Sequence, residues 1–561
     1  LAAAARTPAL RPLVLDPQPD LGPRFVGYWR QLSALPRRTR RSLQRRWKRS
    51  LAAIALLMAL GQVPALAATI AVDGSTCTLV DAITAANTDA PTGGCTAGSG
   101  ADTLELVPGS THGLTAIADT TYGYGASGLP LVTSKITIAG HGSTIERPVP
   151  DPQFRLLSVS ATGDLTLQHL TLRGGRSSYV GGGVLNRGGT LSISNSTVSG
   201  NTTLYDGGGV ANEGGAFTIS HSTVSGNFAY FGGGVDSSGT LTISHSTVSD
   251  NAAAGGYFGR CGVGGGVFNS RTLTISNSTV SGNATGGGSC YWQGAGGGVF
   301  NSGTFTLTDS TLSGNTAHHG VGGRGIYGGP GVGGGVHNRG TLTVTNSTIS
   351  DNRAEDFDED PAFGGGPGVG GMSNSGTLVL THSTISDNVG GGVQNGLSPF
   401  STGHTLTLDR TLVSGNAPTE VINLDGNTVI ANAFNLFGLN GAAGVSGFSP
   451  GPRDIVPAGP LGDILAPLAD NGGPTETHAL VAGSPAVDAV KRGCPPPFAD
   501  QRGFARPADG DGDGGAACDV GAFELASQPL PNCATARPTR GCTVNGVANR
   551  LCQGTARGDQ I

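Results

Sequence analysis

Apolar residues in the middle of the chain follow two periods at once. Over short distances they alternate with polar ones. In "TLTIS" (272–276), Leu273 and Ile275 share one face and Thr274 and Ser276 the other, as in a half-buried strand. "STVS" (278–281) places one apolar residue, Val280, in a second short strand, and "GGGVFN" (264–269) supplies a third. Over longer distances the whole set returns: "GGGVFNSRTLTISNSTVSGN" (264–283) has siblings that begin at residues 181, 207, 232, 296, 333 and 390, with a "GGMSN" variant at 370. Three short strands in about 20 residues cannot bury a face alone, but stacked on their copies they build a continuous apolar column. The pattern predicts an all-β parallel β-helix, one unit of about 20 core residues per coil, with three parallel sheets and coils ~4.8 Å apart. Eight units make a rod of roughly 40 Å, lengthened by the less regular "KITIAG" (135–140) and "LLSVSATGDLTLQHLTLRGG" (156–175).

Each unit closes on an asparagine: Asn201, Asn227, Asn251, Asn283, Asn315, Asn352, Asn388 and Asn416, spaced 24 to 37 residues apart. A second column runs through Asn186, Asn212, Ser237, Asn269, Asn301, Asn338, Asn374 and Asn395. Asparagine tolerates left-handed turns, and stacked amides bond to one another, so both columns read as structural ladders. What varies is the insertion after each terminal asparagine: 5, 4, 12, 12, 17, 17 and 1 residues in turn. The long insertions fall in the middle coils and form a patch, and loops on a rigid scaffold are where binding residues gather. The patch holds Tyr257, Tyr291, Trp292, His318, His319, Arg324 and Tyr327, side chains suited to a glycan. His221 and His245 share one repeat position in neighbouring coils, a place filled elsewhere by Asn, Asp or Arg, and read as surface decoration.

Composition agrees with strands and turns: 97 of 561 residues are Gly, and only 13% are charged. The net charge of −5 is uneven. Residues 1–50 hold 12 of the 33 Lys and Arg and 2 of the 38 Asp and Glu, leaving 21 basic against 36 acidic residues beyond them. An acidic body is a poor nucleic-acid partner. The basic run "RRTRRSLQRRWKRS" (37–50), the apolar "LAAIALLMAL" and the small-residue Ala65-Leu66-Ala67 read together as a secretory signal peptide. The apolar run falls short of the ~20 residues of a membrane span, so no stable span is expected in the mature chain. The domain plan is thus an extension and signal (1–67), an N-terminal cap (68–134), the coils (135–440), a C-terminal domain (441–526) and a cysteine-containing tail (527–561).

Export permits disulfides. Proximity suggests Cys77–Cys95, Cys261–Cys290 and Cys494–Cys518, with connectivity left open. In "DGDGDGG" (509–515), Asp509, Asp511 and Asp513 alternate before Gly514 like the front half of a calcium loop, but Val520 stands where its closing Glu belongs. Calcium is therefore the one cofactor the sequence raises. The outward positions of the "TLTIS" strands are Ser and Thr, with no recurring carboxylate pair, which weighs against a polysaccharide lyase or hydrolase.

"CTLVDAITAAN" (77–87) followed by "GADTLELVPG" (100–109) resembles the CSLREA region of exported bacterial β-helix proteins, with Thr78, Val80 and Asp81 where that name has Ser, Arg and Glu. Residues 465–524, "LAPLADNGGPTETHALVAGSPAVDA" through "CDVGAFE", resemble the choice-of-anchor Q domain. The GGGV-plus-Asn units are similar to polymorphic outer-membrane-protein passengers. These resemblances imply a right-handed β-helix and a bacterial surface or secreted protein, which lessens the case for glycosylation at the N-S-T triplets of Asn195, Asn277 and Asn346. The tail "CTVNGVANRLCQGTARGDQI" (542–561) resembles the lead-in to haemolysin-type calcium repeats, and Leu1 is not Met; both suggest a truncated sequence. The expected function is adhesion or glycan binding through the 252–369 loops, to a polysaccharide or a host or neighbouring-cell surface. A lyase or hydrolase on the same fold is the alternative, and a passive stalk the third reading.

Overall fold

The computed structural model describes residues 67–526, apart from 121–124, 149–151, 256–260, 287–293, 320–328, 356–367, 398–401, 432, 492–493 and 495, together with the backbone of two short strands, Cys542–Val544 and Val547–Asn549. Among these residues there is one α-helix, α1 (Leu79–Thr88), and none long and apolar enough to cross a membrane. Most of the rest is a right-handed parallel β-helix, the hand that parallel crossovers take, followed by a C-terminal segment with an antiparallel pair, Leu465–Ala469 and Thr477–Leu480.

The coil around Asn283 shows why these residues wind. Val267–Asn269, Thr272–Ser276, Thr279–Ser281 and Ala284–Gly286 each pair in parallel with their counterparts one coil on, Val267 on Val299, Thr272 on Thr304, Thr279 on Thr311 and Ala284 on Thr316. Leu241, Leu273, Phe305 and Leu342 thereby stack in register, each at most 1% exposed. Burial of each such side chain contributes about 1.5–3 kcal/mol. The "TLTIS" and "TVS" strands belong to one bent sheet of 23 strands; the other two long sheets have 11 and 7. After its first strand, Arg176–Ser177, the seven-stranded sheet is built from the residues directly after Asn201, Asn227, Asn251, Asn283, Asn315 and Asn352. Sequence reading placed loop there. Those positions share only a small inward residue (Thr203, Ala229, Ala253, Thr285, Ala317, Ala354), all buried, because the neighbouring backbone rather than the side chain recruits them.

The bend between the two strands of the large sheet is made by one residue per coil with φ between 45° and 51°: Asn195, His221, His245, Asn277, Asp309, Asn346, His382 and Arg410, preceded by His141 and His169. Asn, Asp and His are enriched in this left-handed region, which explains the mixture at this position better than surface decoration does. The serine that follows forms a ladder the sequence reading missed. The backbone N–H of Ser222 donates to Ser246 Oγ at 3.1 Å, that of Ser246 to Ser278 Oγ at 3.1 Å and that of Ser278 to Ser310 Oγ at 3.2 Å.

The buried asparagine column is tighter still. Asn251 Nδ2 donates to Asn283 Oδ1 at 3.0 Å and to Val224 O, one coil back, at 2.9 Å, while Asn283 Oδ1 also accepts the backbone N–H of Asn251 at 3.0 Å. Both protons and both lone pairs of each interior amide are used. The chain of amides runs from Asn201 to Asn416 and ends on Glu420, whose Oε2 accepts Asn416 Nδ2 at 2.6 Å. The second column links Asn186, Asn212 and Ser237, resumes from Asn269 and runs through to Asn423. A Cβ on Gly265 would sit on the carbonyl oxygen of Gly297, so the glycine triplets let successive corners close together.

The ends are managed differently. α1, capped by Thr78 Oγ1 accepting from Asp81 N at 3.2 Å, packs its buried Leu79, Ala82, Ile83 and Ala86 onto the first strands, and Cys77–Cys95 (Cα–Cα 4.7 Å) ties its start to the following turn. At the other end the described residues between 461 and 524 turn back along the large sheet. Gln501 Oε1 accepts Thr348 Oγ1 at 2.7 Å, Gln501 Nε2 donates to Thr311 Oγ1 at 2.9 Å, and His478 Nε2 meets Ser350 Oγ at 2.8 Å. Thr311, Thr348 and Thr384 are therefore buried, whereas the equivalent Thr197, Thr223, Thr247 and Thr279 remain half-buried. The outward hydroxyls expected to be solvated are so only in the earlier coils. Cys494 and Cys518 (Cα–Cα 5.7 Å) are bridged inside this segment.

Asn283→Ala leaves the donors of Asn251 and the Val248 carbonyl without their partner. It is expected to lower the unfolding free energy by about 2–4 kcal/mol in urea titration; an unchanged midpoint would show that the ladder does not stabilise the rod.

Candidate functional site

The corner where each coil enters its glycine triplet differs between short and long coils. In the short ones it carries a tyrosine: Tyr179, Tyr205 and Tyr230. Tyr179 and Tyr205 stack at 6.3 Å between ring centroids with a 16° tilt, and Tyr205 and Tyr230 follow at 6.3 Å and 59°. Backbone bonds set this order, since Tyr230 N donates to Tyr205 O at 2.7 Å and Thr203 Oγ1 donates to the Tyr179 carbonyl. Tyr179 is 47% exposed and Tyr205 49%, beside Leu204 at 46%. Tyr230 is half-buried, so the exposed part of the row is Tyr179 and Tyr205.

Carboxylates stand in the same coils. Asp206 follows Tyr205, Glu213 ends the strand Val210–Glu213, and Asp236 takes the outward position of Val235–Ser237, opposite Ala211. Burial pushes the Asp206 carboxyl up to about 6, with Glu213 adding to it. Burial, then Asp206 and Glu213, hold Asp236 well above the usual range. Glu213 pairs with Arg187 Nε at 3.5 Å, but among the described residues neither Asp206 nor Asp236 has a side-chain hydrogen bond or ion pair. Behind the corner the buried Arg155 donates to Val180 O at 2.9 Å and to Gly125 O at 3.2 Å; burial brings it down to about 10, with Glu213 opposing. The sequence reading sought carboxylates on the "TLTIS" strands and found none there. They lie on the glycine–valine strand and its approach, and the signals were "YDGGGV" (205–210) and "GGGVDSS" (232–238).

The long coils use their insertions otherwise. Phe268 stacks on Phe300 at 5.1 Å and 3°, Phe300 meets His337 at 5.3 Å, and Val263, Ala295 and Val332, where the insertions rejoin the coil, pack over this column. The insertion ends therefore cover the outer face of the eleven-stranded sheet. His337, buried there, is held down to about 3 by burial and then by Arg339. Of the residues predicted for the patch, His318 and His319 are described. Their Nδ1 atoms lie 2.8 and 3.3 Å from Glu355 Oε2. Burial raises Glu355, but His318 and His319 together leave it below the usual range. Tyr257, Tyr291, Trp292, Arg324, Tyr327 and Cys290 lie outside the described residues; Cys261 is in a disulfide. His221 and His245 stack at 4.9 Å as exposed turn residues.

The aspartate loop gathers differently from its sequence spacing. Asp509 and Asp511 join Asp488, with ligand oxygens within 4.8 Å of one another, while Asp513 turns to the backbone N–H of Gly515 at 2.7 Å. Asp488 is buried and accepts Gly510 N at 2.9 Å and Asp511 N at 2.8 Å. Oxygen donors of this kind suit calcium, but three fall short of the six to eight it takes. The grouping crosses 21 residues of chain, from 488 to 509, which is why spacing alone did not show it.

No family model matches the chain, and no curated protein matches it. Among solved structures it is similar to pectate lyase Pel9A, at 14% identity and a TM-score of 0.34, over 76% of this chain and 88% of that one. It is also similar to the A-module of the mannuronan C-5 epimerase AlgE4 of Azotobacter vinelandii, at 14% identity and a TM-score of 0.30, over 71% and 94%. Likeness of this size carries nothing about activity.

Proposed function

We propose that this is an exported surface or secreted β-helix protein that holds a carbohydrate chain along its tyrosine corner, in adhesion or glycan contact. The carrying observation is the row Tyr179, Tyr205, Tyr230 on successive coils, its first two rings exposed and its third half-buried. Coils rise ~4.8 Å each, so an extended glycan lying along the rod meets one ring after another. Asp206 and Asp236, without side-chain partners among the described residues, supply acceptors for its hydroxyls. Export rests on the basic, apolar and small-residue succession at 37–67, and the Cys77–Cys95 and Cys494–Cys518 bridges suit an oxidising compartment.

A second reading is favoured by one observation. Asp206 and Asp236 sit in neighbouring coils, and burial raises both carboxyls above the usual carboxylate range, the direction a general acid at a glycosidic oxygen needs. In that reading the same corner cleaves what it binds.

Tyr205→Ala is expected to weaken retention on a polysaccharide array at least tenfold without changing the melting temperature, because the ring is half exposed. Retention equal to wild type would remove the row from binding. For cleavage, wild type is expected to release reducing ends from a bound polysaccharide and Asp236→Asn to release none; no release by wild type leaves binding alone. A third expectation concerns pH. Since burial raises Asp206, the folded state favours its neutral form, and that contribution is full below the ordinary carboxylate pKa and lost as pH rises through about 6. Asp206→Asn should therefore match wild type in urea at pH 4 and exceed it at pH 8. Equal curves at both pH values would show that Asp206 is not desolvated.

A further inference from the structure

Where Pro474 and residues 497–503 lie against the rod, they leave a cavity of about 370 Å3 open to solvent. Its inner wall is made by three successive residues of the left-handed column, Asn277, Asp309 and Asn346. Their identical backbone conformation sends all three side chains out of the sheet in the same way, one coil apart. Asn346 is 3% exposed and its orientation is fixed: Nδ2 donates to Ala499 O at 2.7 Å and to Asp309 Oδ1 at 3.2 Å, and Oδ1 is left without a partner. Asp309 thus keeps its second oxygen, and the Asn277 amide has no partner among the described residues. The facing wall is engaged elsewhere. Asp500 accepts Arg502 and the backbone N–H groups of Phe504 and Glu524, and Gln501 is bonded to Thr311, Thr348 and Thr475. At the rim stands Phe498, 65% exposed, its carbonyl pinned by Arg506 N at 2.9 Å.

The free groups define the ligand. A carboxylate oxygen accepts, an amide both donates and accepts, and an aromatic face offers an apolar platform. An anion would meet Asp309, with Asp500 adding negative charge nearby. An apolar molecule would leave Asp309 and Asn277 desolvated without hydrogen bonds, which opposes its binding. A neutral ring with hydroxyls on its edge and C–H bonds on its face satisfies all three groups, and the volume lies at the small end of ligand pockets, which run from ~300 to 1,000 Å3. We propose that this cavity is a binding pocket for a single neutral pyranose, separate from the tyrosine corner: Asp309 and Asn277 hold neighbouring hydroxyls, Asn346 fixes the Asp309 carboxylate, and Phe498 takes the apolar face of the sugar.

The full chain is titrated by calorimetry with the methyl glycosides of glucose, galactose, mannose and N-acetylglucosamine. At least one is expected to bind at a single site. Phe498→Ala and Asn277→Gly, the latter chosen because glycine keeps the left-handed turn, should each weaken it at least tenfold with an unchanged melting temperature. Asp309→Asn should weaken it likewise, and Tyr205→Ala should leave it untouched. Absence of binding by every methyl glycoside, or binding that survives both Phe498→Ala and Asp309→Asn, overturns the pocket. Binding lost in Tyr205→Ala but retained in Phe498→Ala assigns the sugar to the corner instead. Failure of the polysaccharide array with the methyl glycoside still bound would overturn the corner and leave the pocket standing.

Discussion

A buried primary amide has two protons and two lone pairs to satisfy, and in the terminal-asparagine column it does so by sitting directly above another amide. From Asn227 to Asn388 every terminal asparagine meets that condition with partners in the coils before and after it. Register follows. A coil displaced by one residue along the strand would orphan an amide at each step and turn Leu273 and Ile275 from the core to solvent. Everything that has to align from coil to coil inherits its position from this condition: the apolar stacks, the serine ladder and the column of left-handed residues. So do the tyrosines, spaced 26 and 25 residues apart, where side chains of the connecting segments would not otherwise be in line.

What the sequence disclosed and withheld divides along the same line. The repeat, the parallel coils and both asparagine columns were legible because periodicity is a property of the letters themselves. The strand after each asparagine was not, since Thr202, Phe228, Ala252 and Arg353 have nothing in common but a backbone that the next coil recruits. The left-handed column was visible as a position and misread in kind: His, Asn, Asp and Arg look like surface variation until one φ value accounts for them. The carboxylates were overlooked because they were sought on the strand with the clearest alternation, while Asp206 and Asp236 occupy the irregular approach and the short glycine–valine strand. Contacts across more than a hundred residues, such as Gln501 with Thr311, leave no local pattern at all.

The two halves of the rod are chemically different for a reason external to the repeat. "STVS" and "STIS" coils present the same hydroxyls, yet Thr279 faces water and Thr348 faces Gln501. The C-terminal segment supplies a few polar side chains at coil spacing and a small apolar cluster around Leu412, Leu436, Ile464 and Val520. Its polar contacts use hydroxyls the repeat already had, so the covered coils needed few new letters. The same economy appears at the middle coils, where the insertion ends supply Val263, Ala295 and Val332 as a lid for Phe268 and Phe300.

The amide ladder also has a direction. From Asn201 onward one Nδ2 proton of each amide bonds the next amide toward the C-terminal end and every Oδ1 accepts from the side of the start, where Asn201 Oδ1 takes the N–H of Gly175. Such a file of aligned dipoles is a polar wire, positive at the end where its donors emerge. Glu420 stands there, its carboxylate receiving Asn416 Nδ2 and the N–H groups of Gly415 and Asn416, as an acidic residue receives the first N–H groups of a helix. The rod therefore has a sense along its axis independent of its outline. A coil can be spliced into it in one orientation only, and two such wires could be continued into each other head to tail but never head to head.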